Sequence, residues 1–144
     1  MDDTRKKKIA EKVWKSSAKE VRKKLDSILA TFSFYKFMEQ QETFSIGKKI
    51  WEKLDQIEYS DPKDLAIALK RLLDEKNEDQ IYWFHKYTNE AGALVAMLGD
   101  VINQYIDDGK FSLAEDLLLA DLDLEYGLFY EIGEYKTFLR YWGF

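Results

Sequence analysis

Cysteine is absent from the chain. That excludes a disulfide framework, thiolate zinc sites, iron–sulfur clusters and Cys nucleophiles. It also fits a reducing compartment. The single histidine, His85, excludes a zinc site with two or more His ligands and the paired Glu-x-x-His ligands of bundle di-iron proteins. No apolar run approaches the roughly 20 residues of a membrane span. The N-terminus is charged and lacks the apolar stretch of a secretory leader. Gly127, Gly133 and Gly143 are isolated, and Ser45-Ile46-Gly47-Lys48-Lys49 lacks the full phosphate-loop pattern. The expectation is a soluble cytoplasmic protein with no cofactor and no membrane contact.

One proline and seven glycines in 144 residues leave few chain breaks, and 46% hydrophobic residues suffice for one core. A single domain over residues 1–144 is expected. Most of it shows helical spacing. Trp14, Ala18, Val21, Leu25, Ile28, Phe32 and Tyr35 recur at alternating spacings of four and three, which predicts one long helix from about Asp3 to Gln40. Thr43 or Ser45 can cap a second helix with the core face Ile46, Ile50, Leu54 and Ile57. Ser60-Asp61-Pro62 is a start signal for a third, with Leu65, Leu69, Leu72 and Leu73 facing inward and Asn77 near its end. Beyond the aromatic stretch around His85, Ala91, Leu94, Val95, Leu98, Ile102 and Tyr105 form a further stripe. Asp107-Asp108-Gly109 reads as a turn, and Ser112 with Glu115 as a capping box.

The C-terminal third carries an internal echo. Tyr105 to Phe111, around Gly109, and Tyr130 to Tyr135, around Gly133, each read as helix, glycine turn, aromatic, helix. This turn chemistry resembles that of tetratricopeptide-type hairpins. The two glycines stand 24 residues apart, whereas that family repeats at about 34. The resemblance therefore implies shared hairpin grammar rather than membership. Against helix, Leu122, Leu124, Tyr126 and Leu128 alternate with Asp123, Glu125 and Gly127, the period of a half-buried strand. No second convincing strand offers a partner, so 122–128 is assigned to helix. The fold class expected is all-α: a single-domain antiparallel helical bundle or short irregular α-solenoid of six to eight helices, with a long N-terminal helix.

Catalytic candidates are few. His85 has the residue type of a general base, but no nucleophile order or electrophile-binding loop accompanies it, and packing is the preferred role. Placing Gly109 at the sixth position of a calcium loop puts Gln104 and Ile106 at the first and third, where oxygen ligands are required. A glycine turn accounts for the same residues. No two of the 27 acidic residues can be singled out as an acid/base pair. The chain is expected not to be an enzyme, and no metal site is expected.

Charge is more specific. The net charge of −5 divides into +6 over residues 1–24 and −11 over the rest. Asp100–Glu134 holds ten acidic residues and one basic residue, Lys110. Acidic fields of this density speed encounter with basic proteins, and interleaved aromatics can anchor an interface. The candidate partner-binding residues are Asp107, Asp108, Glu115, Asp116, Asp121, Asp123, Glu125, Tyr126, Tyr130, Glu131 and Glu134. The function expected is a non-enzymatic, protein-binding inhibitor of immunity or antitoxin type. It would neutralise a basic partner such as a nuclease toxin by occupying the groove that holds nucleic acid.

The alternative is a helical nucleic-acid-associated or regulatory protein. It would act through Arg5, Lys8, Lys12, Lys15, Lys19 and Arg22, which recur on one face of the first helix. The acidic remainder would repel a polyanion unless the two charges are segregated in space. Direct nucleic-acid binding is therefore not the first expectation.

Overall fold

The computed structural model describes residues 3–106 and 116–144. Its centre is a six-stranded antiparallel sheet in the order β1-β3-β2-β4-β5-β6. The strands are β1 Tyr35–Phe37, β2 Gln80–Phe84, β3 Leu94–Met97, β4 Leu117–Asp121, β5 Gly127–Ile132 and β6 Thr137–Trp142. The helices are α1 Asp3–Arg22, α2 Asp26–Leu29, α3 Gln40–Leu54, α4 Leu65–Lys76, α5 Thr88–Ala91 and α6 Leu98–Tyr105. No described helix is long and apolar enough to cross a membrane.

This sheet overturns the all-α bundle or solenoid. Each misassigned stretch has a local explanation. Gln80–Phe84 alternates exposed, buried, half-buried, buried and half-buried, the period of a strand, but its aromatic density obscured the alternation. Leu94 and Val95 belong to β3, which pairs with both β1 and β2. Of the rest of their stripe, Ala91 ends α5 and Leu98, Ile102 and Tyr105 lie in α6. Residues 122–128 are not a helix either. They form the turn between β4 and β5 and the start of β5, whose partners are β4 and β6. The missing strand was Leu117–Asp121, buried along its whole length. A central strand covered on both faces is apolar throughout and shows no alternation. The second half of the glycine echo is the β5–β6 hairpin, closed by Gly133 N–H donating to the Lys136 carbonyl at 2.9 Å. The Asp107–Gly109 turn, the Ser112–Glu115 capping box and most of the calcium loop lie outside the described residues.

The first segment is shorter than its stripe. The helix stops at Arg22, continues as a 3-10 turn over Lys23–Leu25 and as α2, and the chain then enters β1. Of its apolar positions Ala18 and Leu25 are buried and Trp14, Val21, Ile28 and Phe32 half-buried, whereas Tyr35, on β1, is exposed. α3 begins before Thr43, whose buried hydroxyl accepts from Ala93 N–H at 3.1 Å instead of capping a helix. The Asp61-Pro62 signal behaves as its chemistry dictates. The Asp61 carboxylate accepts from Lys63 N–H at 3.0 Å, and a 3-10 turn leads into α4.

Side-chain parity divides the sheet between two cores. Ile81, Trp83, Leu94, Leu117, Leu119, Leu128 and Leu139 face a cluster completed by α4, α6 and the 25–29 segment. Leu118, Ala120, Phe129 and Trp142 face a second cluster beneath Ile50 and Leu54 of α3. α3 is short relative to the width of the sheet. Towards β1 and β3, the second face is left with Lys36 exposed and Tyr82, Val95 and Met97 half-buried.

Candidate functional site

A cleft of about 530 Å³ lies at one end of the sheet among Trp51, Trp83, Phe84, His85, Phe129 and Ile132. His85 follows directly on β2 and is held on both sides. Its Nδ1 accepts from Tyr87 N–H at 3.0 Å, which leaves Nε2 to donate to the Gly92 carbonyl at 2.8 Å. Burial is the main cause of a pKa lowered from 6.5 to about 4. A neutral imidazole with both nitrogens engaged presents no lone pair to the cleft. This arrangement orders the 85–92 turn and commits both ring nitrogens to the backbone. Among the described residues no group of His, Asp and Glu is placed to hold a metal ion.

Among the described residues the acidic block does not form one continuous surface. Asp107, Asp108 and Glu115 lie outside the described residues. The others fall at opposite ends of β5, whose six residues span roughly 20 Å. Asp116, Glu131 and Glu134 gather at the β5–β6 end, and Asp121, Asp123 and Glu125 at the β4–β5 turn. Some carboxylates serve the backbone. Asp116 accepts from Ile132 N–H at 2.8 Å, Asp121 from Tyr126 N–H at 2.9 Å, and Asp100 from both Ser33 N–H and its hydroxyl at 2.9 Å. Asp123, Glu125 and Glu134 remain exposed and Glu131 half-buried. Tyr126 and Tyr130 are core residues, 4% and 6% exposed, and offer no outward anchor. The Tyr126 hydroxyl donates to Asp79 at 2.8 Å. Burial first, then this carboxylate, raises the phenol's pKa.

The β4–β5 turn instead joins a different set of residues. Between α3 and the uncovered part of the sheet runs a groove of about 410 Å³, with Ile46, Tyr82, Val95 and Leu122 among its lining residues and Glu42 and Lys36 at its margin. Burial raises the Tyr82 pKa, and the charges of Asp123, Glu42 and Asp121 raise it further. Of these, Glu42 lines the groove with Tyr82 and Asp123 is exposed on the adjoining turn, whereas Asp121 shares the face of Leu117 and Leu119, where its carboxylate holds Tyr126 N–H. Among the described residues none of the three forms an ion pair. Glu78 and Asp79, exposed just before β2, extend the same acidic end.

Sequence reading missed Glu42, Asp79, Tyr82 and Val95 as members of one site. The alternation in Gln80–Phe84 was the available signal for the strand, but the neighbours depend on how the strands pair. Comparison with protein families, with curated proteins and with solved structures finds no match for this chain.

Proposed function

We propose that this protein is a non-enzymatic, protein-binding inhibitor of immunity or antitoxin type, which docks a basic partner on the acid-rimmed groove between α3 and the β1–β3–β2 sheet face. A nuclease toxin is the concrete form of that partner. The observation that carries the proposal is the apolar groove of Ile46, Tyr82, Val95 and Leu122 with Glu42 at its margin and the exposed Asp123 on the adjoining β4–β5 turn. An apolar centre with a charged rim is the anatomy of an interface. Unpaired carboxylates at the rim attract a basic surface and favour it over acidic competitors. A nuclease needs cations where it holds nucleic acid, and an acidic groove seated there excludes the substrate.

The test pairs the chain with the basic protein encoded by the neighbouring reading frame and measures association at low and high salt. Glu42→Gln, Asp123→Asn and Glu125→Gln together should slow association about tenfold at low salt and flatten its salt dependence. Asp121 is kept, because it holds Tyr126 N–H. Glu131→Gln with Glu134→Gln, at the other end of β5, should leave the rate unchanged. Absence of a complex, or equal rates for the groove variant and the parent, overturns the proposal.

A further inference from the structure

Strand pairing fixes how far α3 covers the second face of the sheet. Lys36 stands opposite Val95, Val95 opposite Tyr82, and Tyr82 opposite Ala120. Directly opposite residues share a face, so these four form one row from the β1 edge inward. Ala120 lies in the core beneath α3. Tyr82 and Val95 are half-buried and Lys36 is exposed. The cover therefore stops between β4 and β2. The other face of the same strands has no such gap, because Ile81, Leu94 and Ala96 belong to the cluster completed by α4, α6 and the 25–29 segment.

The gap has the footprint of a short helix. Three neighbouring strands place β1 and β2 roughly 10 Å apart, and the five residues of β2 run roughly 16 Å. A helix with its side chains is about 10–12 Å across, and three turns of it are about 16 Å long. One wall is already helical, since Gln41, Glu42, Ser45 and Ile46 line the groove from the first two turns of α3. A second helix beside α3 completes the layer that the first face already has. An extended segment gains less. The backbone of β3 is paired with β1 and β2, and that of β2 with β3 and β4, so a strand laid on this face finds no ladder to join. A helix satisfies its own backbone and needs only side-chain contacts.

The charges around the floor give that helix a sign. Glu42 stands on the α3 wall, and Asp123 follows Leu122 on the β4–β5 turn. Beyond Glu42 a smaller cleft of about 260 Å³ adds Glu11 and Glu39. Against these four acids stand two cations, Lys15 in the smaller cleft and Lys36 on β1. We propose that the groove receives an amphipathic helix of the partner, its apolar stripe on Ile46, Tyr82, Val95 and Leu122 and its Lys or Arg flank towards Glu42 and Asp123. This rests on the reading of the groove as the docking site and adds the form of what docks there.

The probe is a synthetic peptide of about 18 residues with Leu at helical spacing and Lys along one flank. Its control has the same composition with Leu at alternate positions, the period of a strand. Both are titrated into the full isotope-labelled chain. The helical peptide should bind, gain helicity by circular dichroism and shift the amide signals of Ile46, Tyr82, Val95 and Leu122. The alternating peptide should bind at least about tenfold more weakly. Val95→Thr with Leu122→Ser keeps a β-branched residue in β3 and a turn-forming one after β4. Together they should weaken the helical peptide about tenfold, the loss of roughly one buried apolar side chain, at an unchanged thermal melt. Glu42→Gln with Asp123→Asn, at exposed positions, should flatten the salt dependence of its binding. No binding of the helical peptide, equal affinity for the alternating one, or equal affinity for the floor variant overturns the proposal. So do shifts confined to Tyr35–Phe37, the mark of strand addition at the β1 edge. The neighbouring basic protein separates this proposal from the reading beneath it. If its association depends on Glu42 and Asp123 while the helical peptide fails, the docking site stands and the helix falls. If it forms no complex while the helical peptide binds the floor, the helix stands and the inhibitor reading falls.

Discussion

His85 shows how one residue's environment decides between chemistry and architecture. Folding lowers its pKa from 6.5 to about 4, so between those values the unfolded chain binds a proton that the folded chain refuses. The stability this contributes is fully present above about pH 6.5 and is lost as the pH falls towards 4, roughly 3 kcal/mol in all. Denaturant unfolding at pH 7, 5.5 and 4 should show that loss, and His85→Gln should remove most of its pH dependence. The imidazole proton signals in NMR should titrate with a midpoint near 4. A midpoint near 6.5 would contradict the buried, doubly bonded ring. The one-histidine count was plain in the sequence. Its role was settled by the carbonyl of Gly92, seven residues away and brought back by α5.

At the scale of elements, α1 and α3 bury different shares of their surface. α1 commits Trp14, Ala18 and Arg22 to the body and leaves its first half in solvent. Ile9 and Val13 are 45% and 61% exposed, so replacing both by Ala should shift stability by less than about 0.5 kcal/mol. A thermal melt checks this, and a drop of several degrees would mean that these side chains pack on the body. α3 is the opposite case. Ile50 and Leu54 are fully buried against the second face, and Trp51 meets Phe129 edge-on at 5.2 Å. The apolar stripe of α3 was legible because amphipathic helices announce themselves at a period near 3.6. β4 was not, because Leu117–Asp121 is apolar on both faces and matches a buried helix turn equally well.

At the scale of the molecule, one sheet separates two cores, with Trp83 in the first and Trp142 in the second. β4 contributes Leu119 to one and Leu118 to the other. The two cores share a backbone ladder and should melt together. Leu119→Ala should cost about 2–5 kcal/mol and shift the far-ultraviolet signal and the tryptophan fluorescence by the same amount. Separate transitions would show two independently folding layers.

The sequence by itself determined the exclusions, the amphipathic helices and the amount of charge of each sign. Those depend on residue type and short-range spacing, which the chain carries locally. The tertiary structure decided that Gln80–Phe84, Leu94–Met97, Leu117–Asp121, Gly127–Ile132 and Thr137–Trp142 are strands, because a strand is stable only beside a partner strand. It also decided which charges act together. Glu42 and Asp123 are separated by 81 positions, and only the pairing of β2 with β4 and the packing of α3 bring them to the groove floored by Tyr82.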